Sequence, residues 1–133
     1  MIAEDFVSFK TAELLKAKGF DWEVHYNYRC FKQRHFFHRV AKNFNGSEYE
    51  GLSAQWYSAP TLQMAMKWLR EVHNYVISIC LDSYVEPYDN QYYILIRRRK
   101  DKYEELNPCE KVYFDTYEEA AEEAIRYCLE NLI

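Results

Sequence analysis

Glycine and proline are scarce in this chain of 133 residues, which contains three of each. A loop that cradles a phosphate with backbone N–H groups is rich in glycine, and three scattered glycines cannot build one. The chain also lacks the Gly-x-Ser-x-Gly turn, or a comparable arrangement, that presents a catalytic nucleophile. We therefore expect no catalytic residue and no cofactor, and we predict that the protein is not an enzyme.

The four cysteines do not form a metal-binding or redox motif. No two of them make a Cys-x-x-Cys pair, and no N-terminal segment combines a basic start, an apolar run and a cleavage site. No apolar run approaches the roughly eighteen residues of a membrane-spanning helix. We therefore expect a cytoplasmic protein without a membrane partner, whose cysteines are reduced thiols: Cys30, Cys80, Cys109 and Cys128.

Charge and composition exclude two further classes of protein. Hydrophobic residues make up 49% of the chain and charged residues 29%, a balance that argues against disorder. The net charge of −4 argues against a strongly basic nucleic-acid-binding protein. Thirteen tyrosines supply apolar rings that each carry a hydroxyl, so we expect these rings to pack with one end at water.

Helical periodicity over residues 6–19 predicts the first helix. Ser8 is the expected N-cap, and Gly19 is the expected terminator because glycine accepts a left-handed backbone. In a Schellman ending the residue after the glycine touches the residue four positions before the glycine. We therefore expect Leu15 and Phe20 to meet.

A change to a period of two over residues 22–30 predicts a half-buried strand, and residues 35–41 can return beside it as an antiparallel partner. Residues 43–53 predict a loop. The central helix is predicted over residues 58–74, with Pro60 in its first turn, where a missing N–H costs nothing. Its inner face should comprise Leu62, Ala65, Leu69 and Val72.

The second half of the chain repeats the alternation of strand and helix patterns. Strands are predicted over residues 75–81 and 91–99, and a third short strand around residues 111–114. The last helix is predicted over residues 117–131, because Thr116 and the glutamates after it form a capping box.

This order of elements predicts an α+β fold. Strands joined by short turns must pair antiparallel, so we expect an antiparallel sheet with three helices packed mainly on one face, in the order α-β-β-α-β-β-(β)-α. A chain of this length is most simply a single domain over residues 1–133. Within it we expect two αβ halves, residues 1–56 and 57–133, that share one core.

Three stretches of the chain resemble a family of small uncharacterised proteins carried by phages and mobile elements of gut-type bacteria. The resemblance rests on Val7-Ser8-Phe9-Lys10-Thr11-Ala12-Glu13-Leu14-Leu15, on Tyr57-Ser58-Ala59-Pro60-Thr61 with Lys67-Trp68-Leu69-Arg70-Glu71-Val72-His73-Asn74, and on Tyr117-Glu118-Glu119-Ala120. It implies a phage or prophage context in the cytoplasm of a bacterial host cell, and no catalytic residue.

Soft metal ligands occur close together once, as Cys30, His35 and His38. Thiolate and imidazole suit zinc, and His25 across the proposed hairpin could supply a fourth ligand. However, His35 and His38 would point to opposite faces of a strand, since they are an odd number of residues apart. We favour surface histidines on a hairpin over a metal site.

Basic residues interleaved with aromatic ones could bind a single-stranded nucleic acid. Acidic residues after the second cluster partly neutralise it, so a solvated strand tip is the favoured interpretation. The candidates are Arg29, Lys32, Arg34 and Arg39 in the first hairpin, and Arg97, Arg98, Arg99 and Lys100 further along.

Aromatic and methionine side chains near the start of the central helix could instead bind a protein, because such side chains are enriched at interaction hot spots. The competing interpretation is that the first helix covers them. We predict a non-enzymatic protein-interaction module whose partner is another protein or a second copy. The alternatives are a nucleic-acid-binding accessory protein and a small enzyme or metal-binding protein. The candidate residues for protein binding are Trp56, Tyr57, Met64 and Trp68.

Overall fold

The structure is a computed structural model that describes residues 5–29, 35–50, 55–82, 91–99, 103–105 and 112–133. These ranges contain helices and antiparallel strands, which confirms the α+β class. Short helical turns follow β2, at Ser47–Tyr49, and α3, at Cys128–Leu132. In chain order the elements are α1 (Phe9–Ala17), β1 (Val24–Arg29), β2 (Phe36–Lys42), β3 (Trp56–Ser58), α2 (Leu62–His73), β4 (Tyr75–Asp82), β5 (Gln91–Arg99), β6 (Tyr103–Glu105) and α3 (Tyr117–Tyr127).

The described strands form two three-stranded sheets, with the orders β2-β1-β3 and β4-β5-β6, where the sequence led us to expect one sheet. The chain divides into two compact units, Met1–Ala65 and Met66–Ile133, and each contains one sheet. The boundary lies inside α2 and not ahead of it at residue 56. An alternating pattern predicts strands and their hairpin neighbours, but it does not say which edges join. A core shared by the two halves stays a prediction.

Helix α1 begins and ends as its sequence predicts. The Ser8 hydroxyl accepts a hydrogen bond from the Thr11 amide at 3.2 Å. At the other end Gly19 has a φ of +89°, and the Phe20 amide donates to the Leu15 carbonyl at 2.9 Å. Together with the bond from the Gly19 amide to the Lys16 carbonyl, this is a complete Schellman motif. Leu15 and Phe20 are both buried.

In the first sheet β1 is the central strand, because β3 pairs with its second edge. Asn27 lies opposite Phe36 of β2 and Ser58 of β3. The alternation of polar and apolar residues places Asn27 on a solvent face, yet it is fully buried. The reason is that the loop after β2 covers this face: Phe44 is fully buried, and its amide donates to the Ser58 hydroxyl at 3.0 Å.

Helix α2 starts later than the sequence predicts. Ser58 belongs to β3, and the Pro60 carbonyl accepts a hydrogen bond from the Val7 amide. Thr61 is the N-cap, since its hydroxyl accepts from the Met64 amide at 3.1 Å. The expected inner face is confirmed at three of its four positions, whereas Val72 is 49% exposed, and Trp68 is buried instead.

The helix ends at Asn74, which has a φ of +64°. Asparagine is one of the few residues other than glycine that adopt this left-handed backbone readily. The chain therefore reverses within one residue, and β4 begins directly afterwards at Tyr75.

In the second sheet β4 and β5 pair at every position of β4, from Tyr75 opposite Arg98 to Asp82 opposite Gln91. The third strand lies earlier than expected, because β6 pairs with the end of β5 and the later segment forms a single bridge, Phe114 to Tyr92.

Helix α3 contacts β4 and β5. Its predicted cap is present, since the Thr116 hydroxyl accepts from the Glu119 amide at 3.1 Å. Within the described ranges, no helix has the length and apolar composition that crossing a membrane requires. The fully buried face of α3 and the turn after it comprises Ala120, Ala121, Ala124, Ile125, Cys128 and Leu129.

Candidate functional site

Two large apolar side chains on β2 are exposed to solvent. Phe37 is 63% exposed and Val40 is 53% exposed. Single exposed apolar residues are ordinary, but the Phe37 ring lies beside an apolar groove, and together they offer a surface that a partner could cover.

The groove lies in the first unit and has a volume of about 280 Å³. We call it the β2 groove. Its lining is mainly apolar, and Glu23, His25 and Thr61 are its polar members. The apolar members are Phe6, Val24, Tyr26, Ala41, Ala59, Pro60 and Met64.

Aromatic contacts hold the rim of the β2 groove in place. The Phe37 ring lies 5.4 Å from the Tyr26 ring and is stacked on His25 at 5.9 Å. The Phe6 ring lies 4.5 Å from Tyr26 and 4.5 Å from His35. An exposed ring that is already positioned loses little side-chain freedom when a partner covers it, so the rim is suited to binding.

The charges along β2 are positive. Arg39 is exposed, and Lys42 forms a solvent-exposed ion pair with Glu48 at 3.9 Å. An exposed pair of this kind contributes little to stability, so Lys42 can turn to a partner at small cost. A segment with an acidic residue beside an apolar one would match this strand.

The four candidate protein-binding residues do not form one exposed surface. Met64 lines the β2 groove, whereas Trp68, four residues further along α2, is only 1% exposed. Trp56 and Tyr57 are neighbours in β3, so their side chains point to opposite faces of the first sheet. Of the four, Met64 alone is part of the groove.

The rings of Trp56 and Tyr57 are engaged within the chain. Trp56 stacks on Tyr49 at 5.1 Å, and the Arg29 guanidinium lies over it at 4.4 Å. Tyr57 contacts the edge of Phe9 at 5.3 Å, and the Lys16 ammonium lies 4.9 Å from the Tyr57 ring centre. These contacts fix β3 against β1 and α1.

Arg29 is held between two rings, since its guanidinium lies 4.5 Å from the Phe36 ring and 4.4 Å from the Trp56 ring. Its Nε also contacts the Asn27 side-chain oxygen at 3.5 Å. A cation stacked in this way contributes to the packing of the sheet and presents less of its charge to a phosphate.

The remaining nucleic-acid candidates are distributed over both units. Arg39 is exposed in the first unit, whereas Arg97 and Arg98 are partly buried on β5 in the second. The Arg98 guanidinium lies 5.8 Å from the Tyr75 ring. Arg99 is the last residue of β5, and the structure does not describe its side chain. Lys32, Arg34 and Lys100 lie outside the described residues.

The predicted metal ligands are engaged in other contacts where the structure describes them. The His38 Nδ1 lies 2.8 Å from the Val40 carbonyl oxygen, and the His35 ring packs against Tyr26 at 4.9 Å. Cys30 lies outside the described residues. In the part of the chain that the structure describes, no three His, Cys, Asp or Glu side chains are grouped to hold a metal ion.

Burial alters the acidity of His73 and Cys128 in the second unit. Burial lowers the pKa of the His73 imidazole, whose ring packs edge-on against Trp68 at 4.6 Å. Burial also raises the pKa of the Cys128 thiol to about 12. A thiol with this pKa is protonated at neutral pH, so Cys128 is a core residue and not a nucleophile.

Iodoacetamide is therefore expected to alkylate Cys80, which is half-buried, and to leave Cys128 unmodified in the folded chain. At pH 8 a thiol of pKa 12 is thiolate in about one molecule in ten thousand. Mass spectrometry of tryptic peptides measures both sites, and the same reaction in urea is the control in which both should react. Equal rates at the two sites in the folded chain would contradict the burial of Cys128.

Sequence reasoning missed Phe37 and Val40, and it missed the apolar lining of the groove apart from Met64. One signal was present: the adjacent pair Phe36 and Phe37 breaks the alternation of β2, so one ring must lie on the exposed face. The lining itself comes from segments far apart in sequence, which no local pattern connects.

No family model, no curated protein and no solved structure matches the chain. Its function is therefore argued from the chemistry of the site.

Proposed function

We propose that the protein is a non-enzymatic protein-interaction module, and that the β2 groove binds a segment of another protein. The observation that carries the proposal is the 63% exposure of Phe37 beside an apolar groove of about 280 Å³. The resemblance to phage and mobile-element proteins suggests that the partner is a protein of a bacterial host or of such an element.

The partner segment should combine one large apolar residue with an acidic one. An apolar side chain placed in the groove would contact Tyr26 and Met64 and would cover Phe37. Complete burial of one such side chain contributes about 1.5–3 kcal/mol. The cations Arg39 and Lys42 on the same strand would attract an adjacent carboxylate and exclude a basic segment.

The nucleic-acid alternative has weaker support. A single strand binds to rings whose faces are open for base stacking. In this chain Trp56 is covered by Arg29 and Tyr49, and the Arg29 guanidinium is itself held between the Phe36 and Trp56 rings. No described observation favours this alternative over protein binding.

A peptide library displayed on phage tests the proposal. Selection on the full chain is expected to enrich sequences that place a large apolar residue next to aspartate or glutamate. A synthetic peptide of the enriched sequence, titrated by fluorescence anisotropy, should bind Phe37→Ser and Met64→Glu at least about tenfold more weakly, since tenfold corresponds to 1.4 kcal/mol.

The matched control is Val112→Ser, which removes a 56% exposed apolar side chain from the second unit. Its Kd should stay within about twofold of that of the unsubstituted chain, because Val112 does not line the groove. The proposed role of the groove would be wrong if the library enriched no such peptide. It would also be wrong if the enriched peptide bound Phe37→Ser with the same affinity as the unsubstituted chain. Salt-sensitive retardation of mixed DNA or RNA that is lost in Arg39→Glu would favour the alternative instead.

A further inference from the structure

The two sheets have four described edges, and three of them carry features that hinder pairing with another chain. Strand β2 is irregular, because its register with β1 shifts between Val24 and Tyr26, and it carries Arg39 and Lys42. The His38 ring also lies against the Val40 backbone, with its Nδ1 3.3 Å from the amide nitrogen. Strands β3 and β6 have three residues each.

Strand β4 has none of these features. Its eight residues pair with β5 in unbroken register, and they include no proline, glycine, lysine or arginine. In the described part of the chain, no strand pairs with its other edge. A long, regular edge whose one acidic residue, Asp82, stands at its end presents a row of backbone N–H and C=O groups to a further strand.

We propose that β4 pairs with β4 of a second copy of the chain, antiparallel and about a two-fold axis. The two sheets would then form one six-stranded sheet in the order β6-β5-β4-β4-β5-β6. This interaction is separate from the β2 groove, which lies in the other unit. It does not depend on the proposed function.

The sequence of β4 is self-complementary in the register centred on Ser78. Ser78 would lie opposite Ser78 of the second copy, and apolar residues would oppose apolar residues on both faces. Directly opposed residues share a face, so this register keeps the same side of the sheet in both copies. The pairs would be Ile77 with Ile79, Val76 with Cys80, and Tyr75 with Leu81.

Because the one acidic residue of β4 stands at its end, a second copy can pair with β4 without opposing like charges, and charge disfavours one neighbouring register. Asp82 is the one acidic residue of β4, and in the register centred on Ser78 it lies beyond the paired residues. The register centred on Ile79 would oppose Asp82 to Val76 and would place a carboxyl group beside an apolar side chain. Leu81, which is 49% exposed, would gain a cross-strand partner in Tyr75.

Light scattering after size-exclusion chromatography tests the association. The full chain, loaded between about 5 and 500 µM, is expected to change from the mass of one chain to that of two, because the dimer fraction rises with concentration around the dissociation constant. Ser78→Lys should hold the chain at the single mass, since lysine on an edge opposes pairing. Val112→Lys, which adds the same charge elsewhere in the unit, should dimerise like the parent.

A cysteine cross-link tests the register without relying on a disruptive charge. In a Cys80→Ser background, Ser78→Cys should form a covalent dimer on mild oxidation, because opposed strand residues fit disulfide geometry. Ser47→Cys, at an exposed position of the first unit, should cross-link at least about tenfold more slowly, since only random collisions bring it to its copy. A single mass over the whole range overturns the proposal, as does a dimer in which Ser78→Cys reacts no faster than Ser47→Cys.

Discussion

Replacing Trp68 with alanine is expected to lower the free energy of unfolding by about 3–5 kcal/mol, the range measured for large buried aromatic residues. Trp68 is the largest side chain among those that are almost completely buried, at 1% exposure. Removing the indole leaves a cavity, because closely packed neighbours relax only partly. The substitution also removes the ring contact with His73 at 4.6 Å.

Val72→Ala is the matched control on the same helix. Val72 is 49% exposed, so its truncation loses little burial, and alanine is the better helix former. We expect a change within about 0.5 kcal/mol. Urea unfolding followed by circular dichroism measures both variants.

The comparison also decides between two roles for Trp68. A side chain that recognises a partner loses binding affinity when it is truncated, whereas a core side chain loses stability. A decrease in stability of less than about 1 kcal/mol for Trp68→Ala would contradict the core assignment. The expected result places Trp68 in the core and leaves Met64 as the binding residue of the helix.

Asn45→Ala is expected to cost about 2–4 kcal/mol, because it breaks two hydrogen bonds to buried backbone groups. The Asn45 side-chain Nδ2 donates to the Phe20 carbonyl at 2.9 Å, and the Asn45 side-chain Oδ1 accepts from the Ser58 backbone amide at 3.0 Å. Phe20 is 1% exposed and Ser58 is fully buried. Neither backbone group can recover its lost hydrogen bond from water without a rearrangement.

Asn131→Ala separates this effect from the general loss of an asparagine. The Asn131 side chain also donates to a backbone carbonyl, that of Tyr127 at 3.2 Å, but the bond is exposed and water can replace it. We expect a change within about 0.5 kcal/mol in thermal or urea unfolding. Equal losses for the two variants would show that Asn45 does not bridge the turn after α1 and β3 in solution.

Local signals correctly predicted the caps of α1 and the start of α3. Ser8 and Thr116 cap α1 and α3 because each hydroxyl needs only the amide three residues later, which the sequence itself places within reach. The Schellman ending at Gly19 is local in the same sense, and so the contact of Leu15 with Phe20 could be predicted from spacing alone.

Features that depend on distant segments were not predictable. Strand β3 has three residues, too few to show a period, and it exists because Trp56 to Ser58 find hydrogen bonds on β1. The later start of α2 has the same cause. Ser58 pairs within the sheet, and the Pro60 carbonyl accepts a hydrogen bond from the Val7 amide. The order of strands in a sheet depends on which strand edges pair, and the alternation of polar and apolar residues does not predict that.

The candidate site likewise combines one residue that a local pattern identifies with others that only the fold brings together. Met64 could be singled out because a methionine on a second helical strip is a local pattern. Phe6, Tyr26 and Ala41 join it in the groove through the folding of three separate segments. A composition that is rich in tyrosine predicts many half-buried rings, but it does not predict which of them line a cavity.

The division of the chain into two units gives each unit its own optical reporter. Trp22 and Trp56 lie in the first unit and Trp68 lies in the second. A chain with Trp68→Phe emits from the first unit alone, and a chain with phenylalanine at positions 22 and 56 emits from the second. Since coincident transitions of separate probes define two-state unfolding, the two emission curves in urea report whether the units melt as one cooperative body or in succession.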